Sequence, residues 1–213
     1  MISEMLSYDF IQRAFLGGVL VSLCAALLGV SLVLKRYSMI GDGLSHVSFG
    51  ALSIAIACGI APLKFAIPVV IVAAFLLLRL AENGKMRSDA AIAMVSASSL
   101  AIGVIVTSLT TGLSTDIYSY MFGSILAMSK DDVVVSGLLS VIVIIMFVAC
   151  YHKIFAVTFD ENFSKATGVK VGMYNTLISI FTAITIVVGI KMMGAMLISS
   201  LIIFPALISM RNF

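Results

Sequence analysis

The stretch FLGGVLVSLCAALLGVSLVL, Phe15 to Leu34, runs for 20 residues without a single charge. An α-helix rising about 1.5 Å per residue crosses a hydrocarbon core of roughly 30 Å in that length. The stretch lacks the alternation of a barrel strand, and in lipid only a helix or a closed barrel satisfies its own backbone polar groups, so it reads as a spanning helix. Working outward, six further stretches have the same character: Ile40 to Ile60, Leu63 to Leu80, Ala90 to Leu109, Val133 to Tyr151, Val171 to Ile190 and Met192 to Met210. The expected fold class is all-α, a polytopic transmembrane helix bundle of about seven spans. Residues 1–213 form one transmembrane unit, with no internal repeat, linker or soluble extension.

Composition agrees. Of the 213 residues 62% are hydrophobic and 11% charged, with a mean hydropathy of +1.21. That excludes a water-soluble globule, a disordered chain and a disulfide scaffold, none of which tolerates so much unbroken apolar sequence. Cys24, Cys58 and Cys150 lie far apart in apolar surroundings and read as small hydrophobes. Glu4 and Asp9 precede the first basic residue, Arg13, which is not the pattern of a cleaved signal peptide.

The net charge of +3 is unevenly placed. Lys35, Arg36, Arg79, Lys85, Arg87, Lys153, Lys165, Lys170 and Arg211 fall on one face of the bundle, and Arg13, Lys64, Lys130 and Lys191 on the other, which accounts for all 13 basic residues. Cytoplasmic loops carry the excess of Lys and Arg, so the first face is inside and the N-terminus outside. The charge thus reports membrane orientation and calls for no nucleic-acid partner. Small residues four apart, Ala51, Ala55 and Gly59 in the second span and Ala93, Ala97 and Ala101 in the fourth, mark seams where helices approach closely.

One constellation is costly. Asp42 and His46, in GDGLSHVSFG (Gly41 to Gly50), lie inside an apolar span, where an ionisable side chain costs about 3 kcal/mol on insertion scales and is by default functional. Four residues apart, they share a helix face, with His46 roughly 15 Å in from Arg36, near the middle of the core. Gly41 and Gly43 weaken the helix around Asp42, the setting for an unwound entry of the kind that transporters aim at an ion. A carboxylate beside a neutral imidazole suits Zn²⁺ or Mn²⁺. The plainer reading is that Asp42 caps the second span and His46 bonds a neighbouring helix. Ser88 and Asp89, ahead of the fourth span, read as a helix N-terminus, and His152 as an interfacial residue.

The longest polar connection on the inner face runs from Tyr151 to Lys170. Within it Phe159, Phe163 and Ala166 recur at helical spacing, Asp160 and Glu161 stand at the start, and Gly168 follows Lys165 as a stop. This describes a short amphipathic helix over 159–168, whose exposed phenylalanines either dip into the lipid interface or fill a groove on a protein partner.

Taken in order, four stretches resemble the integral-membrane permeases of bacterial ABC importers for zinc and manganese: GDGLSH at Gly41 to His46, SDAAIAMVSASSLAIGV at Ser88 to Val104, YMFGSILA at Tyr120 to Ala127, and Phe159 to Gly168 followed by VGIKMMGAMLISSLIIFPA at Val188 to Ala206. Gly43 stands where the family usually has Ala. The resemblance implies a bacterial inner-membrane permease that is not itself an enzyme, working as a homodimer. It also implies a separate ATPase subunit inside and an extracellular or periplasmic metal-binding protein outside. Agreeing with this, the chain has no G-x-x-x-x-G-K-[ST] phosphate loop. The resemblance further implies that Asp42 and His46 line the metal path, with no permanently bound cofactor. It makes the stretch carrying Phe159, Asp160, Glu161, Phe163, Lys165, Ala166 and Gly168 the coupling helix, and has the family pattern continue for one or two spans beyond Met210. Ser119 to Ser129 resembles the zinc branch more than the manganese branch. The rival reading is a proton-coupled secondary transporter using Asp42 and His46 as a relay. An intramembrane metalloenzyme is disfavoured, because His46 and His152 are the only histidines and no H-E-x-x-H occurs.

Overall fold

The computed structural model describes residues 8–35, 37–82, 88–110, 123 and 130–211. These residues hold nine helices and no strand: α1 (Asp9–Leu34), α2 (Ser38–Ala57), α3 (Pro62–Glu82), α4 (Ser88–Leu109), α5 (Lys130–Ala149), α6 (Tyr151–Phe159), α7 (Glu161–Ala166), α8 (Val171–Met193) and α9 (Ala195–Arg211). Among the described residues four segments are long and apolar enough to cross a membrane: Ile11–Leu34, Met39–Ala57, Ala90–Leu109 and Val171–Met193. α3 is apolar over Pro62–Leu77, and the apolar helix α9 is shorter, at 17 residues. The expected span Val133 to Tyr151 differs most, because Val133–Ala149 and Tyr151–Phe159 are bent by 71° at Cys150. Neither Pro nor Gly marks that bend in the sequence.

The core sits around α8, which packs against α1, α2, α3, α5, α6, α7 and α9. Leu28, Leu44, Leu77, Ile154, Ile186, Ile190, Ile198 and Ile202 are fully enclosed there. Some buried hydroxyls bond backward along their own helices, Thr182 Oγ1 donating to the Ile178 carbonyl at 2.7 Å and Ser53 Oγ to the Phe49 carbonyl at 2.8 Å, which satisfies them without a partner from another helix.

Close approaches set the bundle's geometry. A Cβ on Gly29 would collide with the Ile202 carbonyl oxygen, so only glycine lets α1 and α9 pass at this distance. At the opposite end of α1, Gly17 packs on Met192, beside the α8–α9 junction, which places Arg13 and Lys191 toward one face as the charge pattern requires. That junction is Gly194 alone, at φ +87°, a conformation that favours glycine. Pro205 does not interrupt α9. Ser199 and Ser200 bond the carbonyls of Ala195 and Met196, so they do not serve the Leu201 carbonyl that Pro205 leaves free.

The two small-residue stripes behave differently from the expectation. Ala51 and Ala55 are buried, but Gly59 lies beyond α2 at φ +68° as its stop: Gly59 N–H bonds the Ile56 carbonyl and Ile60 N–H the Ala55 carbonyl. Ala93, Ala97 and Ala101 face outward on α4, whose best spanning window is only 22% buried.

Candidate metal path

α2 and α4 form the most extensive helix pair among the described residues. Their seam is built on glycines spaced by two turns. A Cβ on Gly43 would strike Ile92 Cγ2 at 2.6 Å, and one on Gly50 the Ser99 carbonyl oxygen at 2.8 Å, while Gly103 sits against Phe49 and Gly50. Gly43 to Gly50 and Ile92 to Ser99 are both steps of seven, so the same faces stay opposed along two parallel helices. Gly43 therefore serves close packing, Gly41 is an ordinary helical residue beside it, and the unwound entry expected around Asp42 is absent: α2 is continuous from Ser38. Asp42 consequently lies a turn inside the helix and does not cap it.

Because α2 is regular there, Asp42 and His46 stand one above the other, His46 Nε2 lying 3.6 Å from Asp42 Oδ2. Both are partly open, His46 30% and Asp42 49% by side chain, and they line a cavity of about 40 Å³ with Ser45, Phe49, Leu100, Ala195 and Met196. Ser45 turns its hydroxyl back to the Gly41 carbonyl at 2.8 Å. The opening is small, about the room of one ion or water. It has one carboxylate, one imidazole, the Ser45 side chain bonded back to its own helix, and otherwise apolar walls. Among the described residues no group of three or more His, Cys, Asp or Glu side chains gathers to hold a metal. One chain thus offers two ligands at this point, half of what a tetrahedral Zn²⁺ requires. The sequence does not single out Ala195 and Met196, because the turn at Gly194 that brings them to the cavity depends on tertiary packing. Asp89 belongs to α4, and Tyr120 to Ala127 lie outside the described residues apart from Gly123.

The expected single helix over 159–168 is two. Phe159 ends α6, Asp160 leaves the helical region at φ −145°, ψ 100°, and α7 begins at Glu161. Asp160 Oδ1 accepts from the backbone N–H of Asn162 and Phe163, both at 2.9 Å, which caps α7. At its other end Gly168 N–H bonds Lys165 and Val169 N–H bonds Ser164, with Gly168 at φ +82°, the stop that the sequence indicates. Phe159 and Phe163 therefore belong to different helices and share no face. Phe159 continues a row of aromatic rings on α6, its centroid 4.5 Å from that of Phe155, which stacks at 5.9 Å on Tyr151. Phe163 projects from α7, 64% exposed, with Lys165 and Ala166 also outward. His152 is exposed on α6, as an interfacial residue should be.

A bundle of apolar helices holding one carboxylate–imidazole pair at a small membrane cavity, with a capped helix on the basic face, defines a polytopic membrane transport subunit. The chain belongs to the ABC 3 transport family, whose profile it matches over residues 7–212. It is a permease of metal ABC importers, an integral membrane protein and not an enzyme. It is 36% identical over 202 residues to a probable metal transport system membrane protein of Treponema pallidum, covering 94% of this chain and 75% of that one. It is 32% identical to the high-affinity zinc uptake system membrane protein ZnuB of Buchnera aphidicola (93% and 76% covered) and 24% identical to the manganese transport system membrane protein MntC of Halalkalibacterium halodurans (95% and 69%). In three dimensions it is similar to PsaBC from Streptococcus pneumoniae in complex with Fab, with a TM-score of 0.83 at 26% identity over 97% of this chain and 76% of that one.

Proposed function

We propose that two copies of this chain form the translocation path of an ATP-driven importer of divalent transition metal in the bacterial inner membrane, with Asp42 and His46 of each copy lining the path. The observation that carries this reading is the pair itself: two ligating side chains one helical turn apart, open to a cavity the size of a single ion. A second copy completes the ligand set, because two carboxylates and two imidazoles satisfy a first-row divalent ion where one of each does not. The outward stripe Ala93, Ala97 and Ala101, on the helix whose Leu100 lines the cavity, supports a close helix contact at this side of the bundle.

Zinc is the first choice of cargo and manganese the second. Both accept this donor set, so the preference rests on the likeness of Ser119 to Ser129 to the zinc branch. The ATPase is a separate chain and docks on α7 through Phe163, and a metal-binding protein delivers the ion from outside. A proton-coupled secondary transporter would need no docking helix, and the family assignment favours the ATP-driven reading. The test is uptake of radioactive zinc by cells carrying Asp42→Asn or His46→Ala. Each variant is expected to lose zinc uptake and zinc-dependent growth while still inserting and retaining its ATPase. Wild-type uptake by both would remove the pair from the path.

A further inference from the structure

Lys35 caps the inner end of α1, yet its side chain is only 5% exposed. Its Nζ donates to Glu161 Oε1 at 2.8 Å and to Asn175 Oδ1 at 2.6 Å, and Asn175 Nδ2 donates to the same Glu161 oxygen at 3.1 Å. Three residues from α1, α7 and α8 thus close a ring of hydrogen bonds, although they are up to 140 positions apart in sequence. Burial opposes ionisation of the Glu161 carboxyl, but the hydrogen bonds from Lys35 and Asn175 and the charges of Lys35 and Lys165 outweigh it and hold the group below the usual carboxylate range. Ion pair and amide therefore hold Glu161 as a carboxylate.

A six-residue helix has no stability of its own, so α7 keeps its place through its two caps and its tertiary contacts. Glu161 and the fully buried Ser164 form its inner side; Phe163 and Lys165 are outward. The ring and the free aromatic thus occupy different sides of one short element. From the ring, α1 runs to the outer face, where Gly17 meets Met192, and α8 runs to Gly194, after which Ala195 and Met196 line the Asp42–His46 cavity.

We propose that Lys35 is a positioning residue for energy coupling: with Glu161 and Asn175 it ties α7 to the inner ends of α1 and α8, so that displacement of α7 by the ATPase moves both spans as one unit. The inference rests on the reading of α7 as the ATPase contact. It is tested in the assembled importer, reconstituted with its ATPase and binding protein, by measuring zinc taken up per ATP hydrolysed. Lys35→Met and Glu161→Gln are each expected to lower that ratio at least fivefold while co-purification with the ATPase is retained. The exchange Lys35→Glu with Glu161→Lys is expected to recover most of it, which assigns the loss to the ion pair, while a merely structural lesion would lower ATPase association and hydrolysis along with uptake and leave the ratio unchanged. Asn175→Ala keeps the ion pair and serves where Lys35→Met does not fold; its ratio should fall about twofold. A wild-type ratio in any folded single variant would overturn the proposal. Failure of the docking reading is distinguishable, because it shows as unchanged ATPase association in Phe163→Ala, a measurement the ring does not enter.

Discussion

The α2–α4 seam and the α6–α7 segment hold functional side chains by opposite means. At the seam, backbones approach through Gly43, Gly50 and Gly103, and Asp42 and His46 are fixed because the helix that carries them cannot shift without a collision. In the α6–α7 segment, α7 is six residues long and is placed by an aspartate cap, a glycine stop and one buried lysine. The first arrangement is rigid through packing and suits a site that must present ligands at a fixed spacing. The second is held by a few polar contacts that can be made and broken, which suits an element that a partner must move.

The largest expected effect breaks the seam. Gly50→Val places a branched side chain where even a Cβ lies 2.8 Å from the Ser99 carbonyl oxygen, a collision with backbone that no rotamer relieves. Overpacking of this kind costs about 1–3 kcal/mol or more, so the purified variant should lose its thermal transition or show it many degrees lower. Gly137, on α5, has open space where a Cβ would stand, with nothing within 4 Å, and Gly137→Ala should be neutral or slightly stabilising by helix propensity. Equal melting curves for Gly50→Val and Gly137→Ala would erase the contrast.

A smaller effect is expected at α7. Phe163→Ala removes an exposed ring that gains burial only in the complex, and truncation of such an anchor costs about 2 kcal/mol or more, roughly a thirtyfold weaker association with the ATPase. Thermal stability of the permease itself should not change, and a drop there with unaltered association would reverse the assignment. The smallest effect belongs to Asp160→Ala, which removes the two backbone bonds that start α7. Losing an N-cap costs about 1 kcal/mol, so hydrogen exchange should accelerate over 161–166 and stay unchanged in α2.

What is legible in the sequence follows the same division. Spans are a local property, so apolar runs reveal them, and Asp42 and His46 stand out because charge inside such a run is rare. Gly41 and Gly43 read in the sequence as weak points, since a glycine that loosens a helix and one that admits a neighbour look alike until the neighbour, Ile92, is in place. The spacing of Phe159, Phe163 and Ala166 suggests one helix because periodicity does not register a break; the capping aspartate at 160, followed by Glu161, is the signal that marks the start of α7. Lys35, Glu161 and Asn175 share no local pattern at all. They meet only because the chain returns twice to the same end of the bundle, and nothing short of the fold joins them.

The central claim is that the cargo ion is held by Asp42 and His46 from two copies of the chain. With only His46 and His152 in the sequence, X-ray absorption at the zinc edge of the zinc-loaded permease discriminates directly. The account predicts about one zinc per two chains, an N/O shell near 2.0–2.1 Å with imidazole outer-shell scattering, and loss of that scattering in His46→Ala but not in His152→Ala. An imidazole signal that survives His46→Ala would contradict it.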